Sequence, residues 1–183
     1  MTMTVLDPVQ APLREDLSAA VPLSPRLGTL NGKTLGLWNN DKLNAARLLE
    51  LVRIELEKHW TFDVVRGLYD PGNLMPVDGW GEVDRCDAVL LANGDCGACS
   101  TSGIVNAIEL EKRGIPALLI STPPFTEAVR TSAALRGMPA IRWAVIDHPV
   151  ASLAEDALRA RAIAAARQIP DLILSPVAKR PAA

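Results

Sequence analysis

Short apolar runs of strand length alternate with helix-length segments along most of this chain, and this alternation limits the folds that it can adopt. The runs cover residues 33–38, 62–66, 87–92, 117–122 and 141–146. A strand, a helix and a further strand in succession usually form a crossover between parallel strands. The order therefore predicts a single α/β domain with a mostly parallel sheet of about four to five strands and helices on both faces, a Rossmann-like three-layer fold.

The helices are predicted from apolar residues that recur with helical spacing. One helix follows the first strand as far as residue 60, and the others cover residues 104–113, 126–136 and 152–168. The predicted α/β domain spans residues 32–174.

Three segments are expected to lie outside this regular pattern. Residues 1–31 are weakly patterned and rich in proline and alanine, which predicts an extended arm on the domain or on a neighbouring subunit, with disorder as the alternative. Residues 175–183 are predicted to be a frayed tail. The loop over residues 67–82 is long for a compact domain, and we interpret it as a candidate lid.

Composition and charge exclude several classes of partner. The chain has 183 residues, a net charge of −2 and no apolar run of transmembrane length, so we expect neither nucleic acid nor a membrane as a partner. The N-terminus lacks the basic start and apolar core of a secretory signal. Three cysteines in such a chain favour thiol chemistry over a disulfide framework. We therefore expect a cytoplasmic protein.

Two cysteines with C-x-x-C spacing, Cys96 and Cys99, follow the third predicted strand, in a segment that we predict to be a strand-to-helix loop over residues 93–103. Open α/β sheets bind their ligands in such loops, and a nearby helix N-terminus favours the thiolate form of a cysteine. Inert thiols and a structural zinc site are the alternatives. A second C-x-x-C is absent, and the usual zinc ligands left are Cys86, His59 and His148, so we predict no metal.

Polar side chains that follow other predicted strands should share this edge of the sheet. His148, after the fifth strand, is a candidate general acid or base. Asp95 either transfers a proton or caps the turn that follows it. Lys42 is a candidate for contact with an anionic substrate or with the Cys96 thiolate. The residues expected to contact substrate are Asn40, Lys42, Asn44, Gly97, Ser100, Thr122 and Phe125.

Several short motifs, taken in order, resemble a known family. They are Gly32-Lys33-Thr34, then Asn40, Lys42, Asn44 and Ala45, the central Gly94-Asp95-Cys96-Gly97-Ala98-Cys99, the segment 109–116, Gly137-Met138-Pro139 and His148-Pro149. This series resembles the UGSC-type (seleno)protein family, named for a selenocysteine (or cysteine)-Gly-Ser-Cys motif, over about residues 26–172. The resemblance implies that Cys96 stands at the selenocysteine position and therefore acts as a polarizable nucleophile.

The chain departs from the family pattern at three places. Ala98 replaces the motif serine, Ser102 stands where a third cysteine is often found, and Val105-Asn106 replaces a His-Asp pair. A relay of several thiols is therefore not implied. The motif is also similar to those of the selenoprotein subunits of glycine and proline reductases, in which a selenolate attacks carbon and displaces nitrogen. For function, that similarity is an analogy.

Together these features favour a cysteine-dependent enzyme acting on a small molecule. Cys96 attacks and forms a covalent adduct, and Cys99 resolves it with an external thiol as reductant. The alternatives are a hydrolase or lyase in which water resolves the adduct, proton transfer in the manner of Asp/Glu racemases, and a non-enzymatic thiol-binding or metal-binding subunit. No nucleotide-binding glycine motif is present, so no organic cofactor is predicted. The N-terminal arm and a site built from one domain alone predict a homodimer or a larger homo-oligomer.

Overall fold

A five-stranded parallel sheet forms the centre of the protein. The structure is a computed structural model that describes residues 20–70 and 80–176. Within these ranges the strands are β1 (Thr34–Asn39), β2 (Asp63–Leu68), β3 (Ala88–Gly94), β4 (Ala117–Ser121) and β5 (Ala144–Val145), and their order in the sheet is β2-β1-β3-β4-β5. Every neighbouring pair is parallel, as the sequence predicts.

Helices cover both faces of this sheet. In the described ranges they are α1 (Ala45–Leu56), α2 (Gly97–Lys112), α3 (Thr126–Leu135) and α4 (Glu155–Ile173). The helices α1 and α4 pack against each other on one face, and α2 and α3 pack on the other. The predicted Rossmann-like three-layer fold is therefore confirmed. None of the described helices is long and apolar enough to cross a membrane.

The central strand β3 shows why its sequence is a continuous apolar run. All seven of its residues are buried because helices cover it on both sides. Its side chains alternate between two cores. Ala88, Leu90 and Ala92 face the core under α1 and α4, whereas Val89 and Leu91 face the core under α2 and α3.

Several predicted boundaries are wrong. Helix α2 begins at Gly97 and not at residue 104, so the C-x-x-C motif lies in the first turn of the helix and not in a loop. Helix α1 ends at Leu56 and not near residue 60, although His59 and Trp60 still donate turn hydrogen bonds to the carbonyl of Leu56. Helix α4 starts three residues after its predicted start and continues through Pro170 to Ile173. Pro170 has no N–H to donate, so one backbone hydrogen bond is missing near the end of this helix.

Strand β5 has only two of the six residues that the apolar pattern predicts. It lies at the edge of the sheet, and its outer side is closed by a side chain and not by another strand. The amide of Gln168 accepts a hydrogen bond from the backbone N–H of Val145 and donates one to its carbonyl, at 3.0 and 2.8 Å. This contact gives hydrogen-bond partners to the backbone N–H and carbonyl of Val145, which an edge strand would otherwise leave unpaired.

The described part of the N-terminal segment contacts the domain. The N–H of Val21 donates to the carbonyl of Gly137 at 2.7 Å, and Leu27 forms a parallel bridge with Leu174 after the end of α4. The rest of the predicted arm (residues 1–19), most of the predicted lid (residues 71–79) and the last seven residues of the predicted tail lie outside the described residues.

Candidate functional site

The strand order creates a crevice at the carboxyl edge of the sheet between β1 and β3. From β1 the chain passes to α1 on one face, and from the neighbouring β3 it passes to α2 on the other face. Open α/β sheets bind their ligands where two such connections diverge. The segments 40–44 and 93–99 leave the sheet here, so this crevice is where the predicted site residues come together.

Cys96 and Cys99 lie at the start of α2. Cys96 is the N-cap residue, with an extended backbone (φ −148°, ψ 165°), and its Sγ accepts a hydrogen bond from the N–H of Cys99 at 3.1 Å. The two residues are joined by a disulfide, and their Cα atoms are 5.2 Å apart. Cys96 is half-buried, whereas Cys99 is only 4% exposed. Of the two sulfurs, that of Cys96 is therefore the one a reactant reaches first.

Both cysteines open into a small cavity. Its volume is about 240 Å³, below the range of about 300–1,000 Å³ that is usual for drug-sized ligands. A cavity of this size suits a small metabolite. It is lined by Lys42, Leu43, Asn93, Asp95, Cys96, Cys99 and Ala151.

Asp95, next to Cys96, holds the segment that follows β5. Its side chain is only 8% exposed. One carboxylate oxygen, Oδ2, accepts the N–H groups of Val150 and Ala151 at 2.9 and 2.8 Å. The other, Oδ1, lies 2.9 Å from Nδ1 of His148, in ion-pair contact but without the alignment of a hydrogen bond. Asp95 thus connects the C-x-x-C turn to His148.

Thr122 fixes the other side of the same histidine nitrogen. Its buried hydroxyl donates to the carbonyl of Gly94 at 3.1 Å and lies 3.3 Å from Nδ1 of His148. The hydroxyl uses its one proton on Gly94, and the Asp95 carboxylate can only accept. Nδ1 of His148 is therefore the donor to the Thr122 hydroxyl, and its contact with Oδ1 of Asp95 is electrostatic, which leaves Nε2 free for chemistry. Phe125 packs edge-on against the imidazole, with ring centroids 5.9 Å apart.

Two asparagines, neither of which lines the cavity, hold the backbone around it. The amide of the buried Asn40 donates to the carbonyl of Asn93 at 3.0 Å and accepts its N–H at 3.2 Å. Nδ2 of Asn44 lies within hydrogen-bond distance of three carbonyls, at 2.9 to 3.2 Å, those of Val150, Ala151 and Leu153. The structure thus gives both residues a role in holding backbone. The substrate contacts that we expect of them stay predictions.

The other predicted substrate contacts differ in their surroundings. Lys42 is exposed and lines the cavity, and no described residue forms an ion pair with it. Gly97 is exposed beside Cys96. Ser100 is fully buried, and its hydroxyl lies 3.2 Å from that of Ser121, so it faces away from solvent. The structure therefore gathers Lys42, Asp95 and the two cysteines in the cavity, and groups His148, Thr122 and Phe125 next to Asp95.

Cys86 lies apart from this site. It precedes β3, at the opposite edge of the sheet, and is 6% exposed. Burial, together with the negative charge of Asp87, raises the pKa of the Cys86 thiol to about 11. Among the described residues, no group of three or more histidine, cysteine or acidic side chains could hold a metal ion.

The sequence did not identify three contributors to the cavity. Leu43 stands between the predicted Lys42 and Asn44, so the run of site residues after β1 could have indicated it. Asn93 opens the predicted loop, and its place at a strand end was a usable signal. Ala151 contributes a backbone N–H, and an alanine gives no sequence signal for such a role.

The comparison with known families agrees with the arrangement of motifs. The model of the UGSC family matches residues 4–175. No curated protein is significantly similar to the chain.

Proposed function

Since the chain belongs to the UGSC family, in which the position of Cys96 carries selenocysteine or cysteine, we propose that it is a thiol-dependent enzyme acting on a small molecule. One observation carries the proposal. The half-buried Cys96 at the N-terminus of α2 lies within disulfide distance of the buried Cys99, and both line one small cavity. A structural disulfide would not need such a cavity beside it.

In the first step, the Cys96 thiolate attacks an electrophilic carbon of the substrate. A C–S bond forms, and the bond from that carbon to the leaving group breaks. The leaving group departs with the electron pair, and protonated His148 supplies its proton. The N-terminus of α2 favours the attacking thiolate through its backbone N–H groups and dipole.

In the second step, the Cys99 thiolate attacks Sγ of Cys96. An S–S bond forms and the C–S bond breaks, so the carbon leaves with the electron pair and takes up a proton. The substrate gains two electrons, and the two thiols become the Cys96–Cys99 disulfide. An external dithiol then reduces this disulfide and returns the enzyme to its starting state. Pairing of the two residues in the structure supports this order of events.

A hydrolytic or lyase reaction is the second candidate, and the surroundings of His148 favour it. Asp95 and Thr122 both face Nδ1, which leaves Nε2 as a base that can activate water. Water would then release the adduct from Cys96, and Cys99 would not be consumed.

Single cysteine variants distinguish these reactions. Reduced protein is incubated with small metabolites that carry an electrophilic carbon, and adducts are followed by intact mass and peptide mapping. Cys96→Ser should abolish both adduct and turnover, because a hydroxyl is a far weaker nucleophile than a thiolate. Cys99→Ser should form the adduct and stall, so that a stable species accumulates at Cys96. Cys86→Ser is the matched control and should behave like the wild type.

Other outcomes reassign the roles. If Cys99→Ser turns over without a trapped adduct, water resolves the intermediate and the reductive reaction is wrong. If neither Cys96→Ser nor Cys99→Ser changes the outcome, the C-x-x-C turn is structural and the proposed function fails.

We also propose that the enzyme is cytoplasmic and works as a homodimer or a larger homo-oligomer. Leu43 beside the cavity is 76% exposed, and Leu68 at the end of the edge strand β2 is 60% exposed. Both lie at the carboxyl edge of the sheet, where a second copy would cover them and close the cavity. Light scattering on the purified chain should give at least twice its monomer mass. A monomer at micromolar concentration would contradict the proposal.

A further inference from the structure

We infer that the substrate of this site is a small organic anion, bound through Lys42 with its negative charge close to the reacting carbon. The inference rests on the proposed function of Cys96 and extends it to a class of substrate. It starts from the balance of charge around the cavity.

The acidic residue of the cavity is already compensated by the protein. Asp95 and Lys42 are the only charged side chains among the described residues that line it. The Asp95 carboxylate accepts two backbone N–H groups through Oδ2, and its Oδ1 lies 2.9 Å from Nδ1 of His148. Both oxygens of this carboxylate therefore already contact groups of residues 148–151.

The charge of Lys42 has no carboxylate partner in the part of the chain that the structure describes. Of the four described lysines, Lys33, Lys58 and Lys112 each form an ion pair with a carboxylate at 3.0 Å or less. Lys42 alone forms none with a described residue. The N-terminus of α2 adds a partial positive charge on the same side of the cavity. Lys42 is thus the lysine at this cavity that lacks a carboxylate partner among the described residues, and an anion would supply one.

The remaining lining limits the size and charge of this anion. Leu43 and Ala151 are apolar, and the side-chain amide of Asn93 is engaged with the carbonyl of Leu43 at 3.4 Å. The volume of about 240 Å³ equals that of about eight water molecules, at roughly 30 Å³ each. One uncompensated cation matches one negative charge. A small monocarboxylate with a short apolar body fits this description, whereas a nucleotide does not.

The proposed reaction gives the cation a clear purpose. A thiolate that attacks an anionic substrate meets repulsion between two negative charges. A lysine beside the substrate charge offsets this repulsion, and the offset is largest when the charge lies near the reacting carbon. Lys42 therefore speeds the reaction of Cys96 with anionic substrates and leaves its reaction with neutral ones unchanged.

Two alkylating reagents test this directly. Iodoacetate and iodoacetamide react alike: a thiolate attacks the CH₂ carbon and displaces iodide. Only iodoacetate carries a negative charge. Peptide mapping of the reduced protein gives the rate constant for alkylation of Cys96 by each reagent. The iodoacetate rate constant is divided by the iodoacetamide rate constant, and this ratio is divided by the same ratio for Cys96 of the protein unfolded in urea. Any change in the amount of thiolate cancels in this quotient, so that the quotient reports anion preference alone.

The wild type should prefer iodoacetate about fivefold relative to the unfolded chain, the effect expected of one partly screened charge contact. Lys42→Gln should remove the preference, Lys42→Arg should retain it, and high salt should weaken it in the wild type. Lys112→Gln removes an exposed lysine at the far end of α2 and should change nothing.

Two results would overturn the inference in different ways. A quotient near one in the wild type, or one that Lys42→Gln leaves unchanged, would show that Lys42 does not select anions, while the role of Cys96 would stand. If Cys96 instead reacts no faster than in the unfolded chain with either reagent, the proposed function fails, and the substrate class fails with it.

Discussion

Cys86 shows how strongly burial can lower the reactivity of a thiol in this chain. Its sulfur lies beneath β1 and β3, so close to Gly36 that a Cβ atom added there would come within 2.9 Å of it. Burial and the charge of Asp87 raise its pKa to about 11. The thiolate is the reactive form of a cysteine, so Cys86 should be inert where Cys96 reacts.

The pH dependence of alkylation tests this difference. At pH 7.5, a pKa of about 11 leaves roughly one Cys86 thiol in a few thousand ionised. Cys86 should therefore be the slowest of the three cysteines towards iodoacetamide, and Cys96 the fastest. The Cys86 rate should rise about tenfold per pH unit and level off only near pH 11. Peptide mapping from pH 7 to 11 gives each rate, and a Cys86 rate that levels off below pH 9 would contradict the assignment.

Asp95 marks the limit of what one residue reveals in a sequence. Its position before Cys96 predicted either a cap or a proton-transfer group. In the structure Cys96 caps α2, and the Asp95 carboxylate accepts two N–H groups after β5 and contacts His148, more than fifty residues away, while its proton-transfer role stays a prediction. The place of both residues at the carboxyl edge could be predicted from the parallel sheet. Their contact could not, because it depends on the path of the chain between Asp147 and Ala151.

Helix α2 shows how packing can override local composition. The segment 97–103 is rich in glycine and serine, which predicted an open loop, yet it forms the first two turns of the helix. Of these small residues, Gly103 is the one that close contact with the sheet requires. A Cβ atom added to Gly103 would lie 2.5 Å from a methyl group of Leu119 on β4. Small residues in this segment therefore indicate a helix pressed against the sheet, with Cys96 as its cap.

The order of strands was only partly accessible from the sequence. The alternation of strands and helices predicted parallel pairing and helices on both faces, and both are present. The alternation did not indicate that β3 pairs with β1 and not with β2. That placement depends on the connection of residues 69–87, where the sequence shows no helix to fix its direction. The crevice between β1 and β3, and with it the location of the site, follows from that one placement.

A buried ion pair ties the N-terminal segment to the rest of the molecule. Glu111, near the end of α2, has a side chain that is 0% exposed, although the sequence around it is typical of a solvated helix end. It accepts hydrogen bonds from Ser24, from the N–H of Ala117 and from the guanidinium of Arg26. The sequence could not indicate this cluster, because its members come together only after the sheet has formed.

Arg26→Ala should therefore destabilise the whole molecule. Removing Arg26 leaves the buried charge of Glu111 with its hydrogen bonds but without its counter-charge, and breaking a buried pair in this way typically costs about 3–5 kcal/mol of the free energy of unfolding. Arg47→Ala is the matched control, because it breaks an ion pair with Glu155 in which both side chains are about half exposed, and such surface pairs contribute little to stability. Urea denaturation of both variants gives the comparison. Because the cluster lies at the end of α2 opposite Cys96, iodoacetamide should still alkylate Cys96 of folded Arg26→Ala at the wild-type rate. Equal losses of stability in the two variants would show that the Arg26–Glu111 pair is not what holds residues 20–27 on the domain.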